Sequence, residues 1–196
     1  MIVKDCMTPN PVTVSPEAGA GETLEMMKKL NFRQCPVVED GNLVGIVTDR
    51  DIRTHIGSNK DLKVRDIMSS GPITIFDYAS VEGAAEIIRS GKFNALPVVS
   101  SRNELVGILS VTDLLDAFLN LLGFHEKPLR LEVQMPDDVS LFDVLHVIQN
   151  HSEKVLSFSV APENRRLYYF WVVNCNFGEV EKELRAGNTK VSTIHS

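Results

Sequence analysis

An internal repeat is the feature that most constrains the fold of this chain, because it requires one short unit to be built twice. Residues 3–7 (VKDCM) recur as residues 64–68 (VRDIM), an offset of 61 positions. The same offset relates the PVV at residues 36–38 to the PVV at residues 97–99. One inserted residue then shifts the offset to 62, which relates residues 43–46 (LVGI) to residues 105–108 (LVGI). Matches this frequent and in this order indicate a duplication.

Each repeat predicts the order strand, helix, strand, strand, helix. Residues 12–14 are a β-branched run, and Ser15 with Pro16 is typical of a helix start, with an N-cap oxygen and proline at the first helical position. The pair Asp40-Gly41 separates two apolar runs and predicts a hairpin. Residues 49–55 open the closing helix of the first repeat. Its counterpart, residues 111–122, is longer and ends in apolar residues.

The last third of the chain follows a different pattern. Residues 123–128 (GFHEKP) interrupt the repeat and predict a linker. Strands are predicted over residues 129–135, 155–160, 167–173 and 190–194, with a turn at Glu163-Asn164, and helices over residues 140–150 and 177–186. This is the β-α-β-β-α-β order of ferredoxin-like folds. The fold class is therefore α/β (α+β), with predicted units at residues 1–61, 62–122 and 129–196.

Composition excludes several function classes. The formal net charge of −6 and the sequence pI near 5.4 argue against nucleic-acid binding, which depends on clustered Lys and Arg. No stretch approaches the roughly 20 apolar residues of a membrane-spanning helix, and the N-terminus does not resemble a secretory signal. Cys6, Cys35 and Cys175 are odd in number and far apart, so reduced cysteines and a cytoplasmic location are expected.

One local pattern that could carry chemistry occurs once in each repeat, at residues 45–51 and 107–113. A strand ends in Thr48 or Ser110, a helix begins, and Asp51 or Asp113 follows three positions later. This Ser/Thr-x-x-Asp spacing fits a structural capping box. It equally fits a ligand site, since a helix N-terminus attracts phosphate and a carboxylate can accept hydrogen bonds from ribose hydroxyls.

The repeats resemble cystathionine β-synthase (CBS) domains, in the tandem pair called a Bateman module. The matching segments are residues 5–7, 36–38 and 45–51, with their copies at residues 66–68, 97–99 and 107–113. This resemblance implies pseudo-two-fold symmetry and a regulatory adenine ligand, either AMP, ADP, ATP or S-adenosylmethionine, in clefts between the repeats.

By position, the resemblance implies phosphate contacts from Thr48 and Ser110 and ribose contacts from Asp51 and Asp113. The adenine would be framed by the side chains of Val12 and Ile73 and by the backbone around Gln34 and Ala95. Ile46 and Ile108 would add apolar contact.

The two sites are expected to differ in charge. The first repeat carries Arg33, Arg50 and Arg53 where the second has Asn94, Thr112 and Leu115. We predict that the phosphates point towards Arg33 and Arg50, and that Arg53 is a solvated surface residue. Which of the two sites the arginines strengthen stays open, because a cleft between repeats can draw residues from both.

The C-terminal unit resembles ACT domains, small regulatory units of the same strand and helix order, over residues 136–141. Ser140 stands where amino-acid-binding ACT domains usually have glycine, which argues against amino-acid binding and leaves a packing or dimerisation domain as the alternative. A CBS pair followed by an ACT-like unit resembles, in domain order, the acetoin-utilisation accessory proteins of bacteria.

The sequence contains no persuasive catalytic constellation. His146 and His151 are five apart, a poor spacing for metal ligation, and Asp137-Asp138 is better explained as an N-cap of the following helix than as a cation site. We therefore predict a non-catalytic sensor of adenine nucleotides with no required cofactor and no metal. The expected partners are a second copy, through the CBS helices, and a regulated enzyme or transporter. The alternative is a structural dimerisation scaffold with vestigial pockets.

Overall fold

The computed structural model describes residues 1–55, 57 and 61–194. The chain divides into two compact units, Met1–Ala117 and Phe118–Ser196. The predicted unit at residues 1–61 includes positions 56 and 58–60, and the unit at residues 129–196 includes positions 195–196, all of which lie outside the described residues.

The first repeat contains three strands and two helices. They are β1 (Thr8–Pro9), α1 (Ala20–Leu30), β2 (Gln34–Glu39), β3 (Asn42–Thr48) and α2 (Asp49–His55). The hairpin between β2 and β3 is confirmed, since Asp40 and Gly41 both adopt positive φ, 50° and 80°, as a tight two-residue turn requires.

The predicted start of the first helix is wrong. Helix α1 begins at Ala20 with Gly19 as its N-cap, whereas Ser15 and Pro16 lie in a preceding turn in which the Ser15 hydroxyl accepts a hydrogen bond from the Glu17 amide (3.2 Å). Ser15 therefore caps a turn and not the helix. In the second repeat the residue equivalent to Gly19 is Ser80, and its hydroxyl does cap a helix.

The predicted strand at residues 12–14 is reduced to one parallel bridge, between Val14 and Val37. The Val14 amide donates to the Pro36 carbonyl and the Val38 amide to the Val14 carbonyl. The β-branched run is extended here, but only one residue of it reaches β2, so no ladder forms.

The second repeat follows the same plan with one more short strand. Its elements are β4 (Ser69–Ser70), β5 (Ile75–Phe76), α3 (Val81–Gly91), β6 (Ala95–Val99), β7 (Leu105–Ser110) and α4 (Val111–Leu121). The longer closing helix predicted for this repeat is confirmed. A short 3-10 helix precedes each repeat, at Val3–Asp5 and Val64–Asp66.

The beginning of each repeat joins the sheet of the other. Strand β1 pairs with β7, placing Thr8 opposite Ile108, and β4 pairs with β3, placing Ser69 opposite Ile46. Val64, from the start of the second repeat, is fully buried in the core of the first repeat. The two repeats are therefore interlocked through exchanged N-terminal segments, an arrangement with pseudo-two-fold symmetry.

A methionine and a glycine make each exchange possible. A Cβ added at Gly107 would overlap Met7 Sδ, and a Cβ added at Gly45 would lie 2.6 Å from Met68 Sδ. Because the glycines have no side chain, each methionine can pack directly on the strand of the opposite repeat. This gives a packing reason for the glycine and the methionine that recur in both copies.

The second unit has the predicted β-α-β-β-α-β order. Its elements are β8 (Leu129–Gln134), α5 (Leu141–Asn150), β9 (Ser152–Ala161), β10 (Asn164–Cys175), α6 (Phe177–Ala186) and β11 (Lys190–Ile194). The antiparallel sheet has the order β11-β8-β10-β9. The turn between β9 and β10 lies at residues 162–163, one position earlier than predicted.

The core of this unit lies between one face of the sheet and the two helices. It contains ten buried residues: Leu131, Val133, Met135, Val144, Ile148, Phe170, Val172, Val180, Leu184 and Val191. The period-2 alternation of β8 directs Leu131 and Val133 into this core and Arg130 and Glu132 to the opposite face.

The segment predicted as a linker contains structure. Residues Phe124–Glu126 form a 3-10 helix, and the Phe124 ring lies 6.3 Å from that of Trp171. Glu126 pairs with Lys154 at 2.6 Å. The apolar ring at position 124 gives this short connection a surface to pack on within its own unit.

Candidate functional site

The Ser/Thr-x-x-Asp motif of the first repeat lies where β3 ends and α2 begins. The Thr48 hydroxyl donates to Asp51 Oδ2 at 2.6 Å, and the Thr48 amide donates to the same oxygen at 3.1 Å. In return the Asp51 amide donates to Thr48 Oγ1 at 3.1 Å. This reciprocal pattern is the capping box that the spacing predicted as one of its two interpretations.

The second repeat reproduces this geometry where β7 meets α4. The amide and the hydroxyl of Ser110 both donate to Asp113 Oδ2 at 2.7 Å, and the Asp113 amide donates to Ser110 Oγ at 3.2 Å. All of these contacts use one carboxylate oxygen. Within the described residues Oδ1 of each aspartate makes no hydrogen bond, so each carboxylate keeps an acceptor for a second partner.

The first turns of α2 and α4 are only partly open to a ligand. The Asp49 amide donates to the Arg33 carbonyl and the Val111 amide to the Asn94 carbonyl, both at 3.0 Å. Since the amides of the two motif aspartates are also used, one first-turn donor in each helix is left, that of Arg50 or Thr112. The expectation of a phosphate site made of several free amides is therefore reduced to one amide in each repeat.

A cavity of about 500 Å³, here called the Ser110 cavity, combines the motif of the second repeat with a loop of the first. The second repeat contributes Asn94, Ala95, Ile108, Ser110, Val111 and Thr112, and the first contributes Asn31, Phe32, Arg33 and Gln34. Each side of this cavity therefore comes from a different repeat.

A second cavity of about 330 Å³, the Thr48 cavity, reverses these contributions. The first repeat contributes Gln34, Ile46 and Thr48, and the second contributes Ser69, Ser70, Gly71, Pro72, Ile73, Lys92, Phe93, Asn94, Ala95, Leu96 and Pro97. Seven of the ten residues that line the Ser110 cavity have their counterpart, by the repeat offset, at the Thr48 cavity. The two cavities are therefore pseudo-symmetric copies of one site.

The cavities contain ten of the fourteen predicted site residues. They are Arg33, Gln34, Ile46, Thr48, Ile73, Asn94, Ala95, Ile108, Ser110 and Thr112. Val12, Arg50, Asp51 and Asp113 are not among the lining residues. Asp51 and Asp113 accept hydrogen bonds from Thr48 and Ser110, which do line the cavities. Val12 is exposed and lies in the segment, residues 12–14, that forms a single bridge instead of a strand.

That the phosphates point towards Arg33 and Arg50 stays a prediction, although of these two residues only Arg33 lines one of the two cavities. Arg33 lines the Ser110 cavity, where its counterpart in the Thr48 cavity is Asn94, and Arg50 lines neither. The reason is the crossed arrangement, in which the loop before β2 faces the motif of the other repeat. Arg53 is exposed as predicted, but it pairs with Asp49 at 2.8 Å.

Several lining residues were not predicted from the sequence. Lys92 and Phe93 at the Thr48 cavity are equivalent by offset to Asn31 and Phe32 at the Ser110 cavity. The repeat offset together with the prediction of Arg33 could have identified them, because they precede the same strand. Ser69 could not be found in this way, since only the exchange of N-terminal segments brings it to β3.

The histidines, cysteines and acidic residues of the described part of the chain form no metal-binding group. No group of three or more His, Cys, Asp or Glu side chains there could hold a metal ion. The three cysteines are free thiols, and burial raises the pKa of Cys35 to about 12. No helix in this part of the chain is both long enough and apolar enough to cross a bilayer.

The interlocked repeats form a tandem pair of α/β units with two pseudo-symmetric cavities. The sequence model of the CBS domain matches residues 3–58 and 64–120, more than half of the chain. The chain belongs to the CBS domain family.

Several relatives of known sequence share this pair. A CBS domain-containing protein of Dictyostelium discoideum is 32% identical over 136 residues, 62% of this chain and 94% of the relative. The CBS domain-containing protein YhcV of Bacillus subtilis is 37% identical over 115 residues, 57% of this chain and 81% of the relative. An inosine-5'-monophosphate dehydrogenase of Korarchaeum cryptofilum is 37% identical over 102 residues, but these span only 21% of that enzyme.

Solved structures show the same fold. CBSX2 from Arabidopsis thaliana, in its complex with AMP, is 31% identical with a TM-score of 0.55, covering 61% of this chain and 96% of that one. The CBS pair of protein MJ0100, in complex with 5'-methylthioadenosine and S-adenosylmethionine, is 26% identical with a TM-score of 0.56, covering 61% and 97%. A putative acetoin utilisation protein, AcuB from Vibrio cholerae, is 26% identical with a TM-score of 0.58, covering 65% and 96%.

Proposed function

We propose that this protein is a non-catalytic regulatory module that binds an adenine nucleotide in the CBS pair. The observation that carries this proposal is the pair of pseudo-symmetric cavities, each with a capped Ser/Thr-x-x-Asp motif at its wall. The likeness to structures that contain AMP, and 5'-methylthioadenosine with S-adenosylmethionine, supports an adenine ligand.

The Ser110 cavity is the proposed site for a phosphorylated ligand. Its walls combine the apolar surface of Ile108 and Ala95, suited to a purine, with Arg33, which is an exposed residue. Arg33 forms no ion pair within the described residues, so its charge is available to a phosphate. The free Thr112 amide at the start of α4 adds a donor of the kind that phosphates prefer.

The proposed role of the aspartates is to accept hydrogen bonds from the ribose. Asp113 uses Oδ2 for its capping box and keeps Oδ1 for a hydroxyl donor. A ligand would add to the capping box instead of replacing it. The structural and the ligand-binding interpretations of the motif are therefore compatible.

Thermal unfolding of the purified chain, alone and with AMP, ADP, ATP or S-adenosylmethionine, tests this function. A ligand at about 100 times its Kd stabilises the folded state by about 2.7 kcal/mol, which is about 5–11 °C in the midpoint for a chain of this size. We expect the shift for at least one ligand, and we expect Asp113→Asn to reduce it.

The matched control is Asp116→Asn, which removes the same charge from an exposed position on the same helix. It should leave the ligand-induced shift unchanged. If no adenine ligand shifts the midpoint, the nucleotide-sensing function is wrong, and the scaffold alternative takes its place.

A homodimer through the CBS helices accompanies this proposal. Leu115 and Leu119 lie four residues apart on α4 and are 58% and 42% exposed. This spacing places both leucines on one face of the helix. Light scattering after size exclusion should give twice the chain mass, and Leu115→Lys with Leu119→Lys should give the monomer mass. A monomer from the unmodified chain would contradict the dimer.

A ligand-dependent change in this dimer, read by a regulated enzyme or transporter, is the proposed regulatory output. A ligand can shift an equilibrium between two arrangements only if it binds one of them more tightly. The C-terminal unit is proposed as an ACT-like packing or dimerisation unit, which its ferredoxin-like strand order supports.

A further inference from the structure

A groove between α5 and α6 in the second unit plays no part in the proposed nucleotide function. Its volume is about 300 Å³, at the lower end of the range of about 300–1,000 Å³ for small-molecule sites. The floor is apolar and contains Val144, Val147 and Leu184. Such a floor favours an aliphatic ligand, because it offers methylene groups a surface shielded from water.

The rim of this groove is acidic. Asp138, Asp143 and Glu183 line it, and no Lys, Arg or His lines it within the described residues. The side chains of Asp138 and Asp143 form no ion pair or hydrogen bond in this part of the chain, whereas Glu183 contacts His151 Nε2 at 2.8 Å. The groove therefore favours a cationic ligand.

The prediction that Asp137-Asp138 caps α5 is wrong, which leaves the Asp138 side chain without a capping partner. Ser140 is the N-cap, with its hydroxyl accepting from the Phe142 amide at 3.2 Å, and Asp137 pairs with Arg166 at 2.8 Å. Neither capping nor an ion pair within the described residues accounts for Asp138.

Thr189 is an independent indication of a ligand. It is one of two polar residues buried within the described part of the chain, with 2% exposure, and it lines the groove. Its hydroxyl makes no hydrogen bond to any described residue. Its oxygen keeps some of the little exposure that Thr189 has, so a small ligand can reach it and donate a hydrogen bond to it.

We propose that this groove binds a small primary alkylammonium ion. The ammonium group would lie between the rim carboxylates and donate to them, and a further N–H would reach the Thr189 oxygen. The alkyl chain would cover the valine and leucine floor. An organic cation fits better than a metal ion, since the described carboxylates do not converge into a metal-binding group.

Calorimetric titration of the full chain with 1-aminopentane tests this site. We expect saturable binding, weakened about threefold to fivefold by Asp143→Asn, as for loss of one exposed ion pair. Thr189→Val, which keeps the side-chain shape, should weaken binding about twofold to tenfold, as for loss of one hydrogen bond. Pentanoate, with the same chain and the opposite charge, should not bind.

Glu163→Gln is the matched control, because it removes one carboxylate from the β9–β10 turn of the same unit, outside the groove. It should leave the affinity unchanged, and thermal unfolding should show that each variant is folded. Absence of saturable binding overturns the proposal, as does binding that Asp143→Asn and Thr189→Val leave intact. Tighter binding of a lysine-containing peptide than of the free amine would overturn the small-molecule form of the proposal in favour of a protein partner.

Discussion

At the Thr48 cavity the cationic lining residue is Lys92, and at the Ser110 cavity it is Arg33. Its counterpart at the Thr48 cavity is Asn94, and Arg50 lines neither cavity. We expect Arg33→Gln to lower the affinity for AMP about fivefold or more, because a charge-assisted hydrogen bond to phosphate is lost, and to leave the affinity for adenosine nearly unchanged. Calorimetry with both ligands measures this difference.

Arg102→Gln is the control for Arg33, since Arg102 is exposed in the turn between β6 and β7 and lines neither cavity. It should change neither affinity. Equal losses for AMP and adenosine in Arg33→Gln would show that Arg33 supports the cavity wall and does not contact phosphate.

A second single residue, Cys35, makes the stability of the folded state depend on pH. Burial raises the pKa of this thiol to about 12, above its ordinary value of 9.0, so the folded state holds the proton more tightly than the unfolded state. Its contribution to stability is complete below about pH 9 and is lost as the pH rises towards 12. We expect Cys35→Ala to unfold at lower denaturant concentration at neutral pH but to lose less stability between pH 9 and 11. If the unmodified chain and Cys35→Ala lost the same amount of stability between pH 9 and 11, this prediction would be contradicted.

At the scale of elements, the exchanged N-terminal segments hold the two repeats together. Gly107→Ala should destabilise the fold by about 1–3 kcal/mol, because the new Cβ overlaps Met7 Sδ in a packed site. Denaturant unfolding measures this. Adding Met7→Ala to the variant should recover part of the loss, since it removes the overlapping atoms.

Gly178→Ala provides the matched control for this substitution. A Cβ at that position would meet Asn176 Oδ1 at 3.7 Å, an ordinary contact, so the variant should be neutral or slightly stabilised. A loss at Gly178 equal to that at Gly107 would mean that the exchanged methionine is not the cause.

At the scale of the whole molecule, the chain consists of two units with their own cores. We expect calorimetric unfolding to show two transitions, because a compact unit with its own core unfolds cooperatively. A saturating adenine ligand should raise only the transition of the CBS unit, since linkage stabilises the unit that binds. A single transition that moves as a whole would show that the two units unfold together.

The duplication, the order of the longer helices and strands in both units, and the residue types of the candidate site are readable from local sequence patterns. Periodicity and turn residues are local, which is why the hairpin at Asp40-Gly41 and the helix Phe177–Ala186 were predicted correctly. The start of α1 was missed for a local reason as well, because Ser15 and Pro16 serve a turn as readily as a helix.

Which residues share a cavity depends on long-range packing. The exchange of β1 and β4 between sheets is a long-range pairing with no sequence period of its own, and it places Ser69 beside β3. The same crossing places Arg33 with Ser110 and separates it from Arg50. Local patterns identified the chemical groups, but the packing of one repeat against the other determined which of them act together, because that packing depends on contacts between residues far apart in the chain.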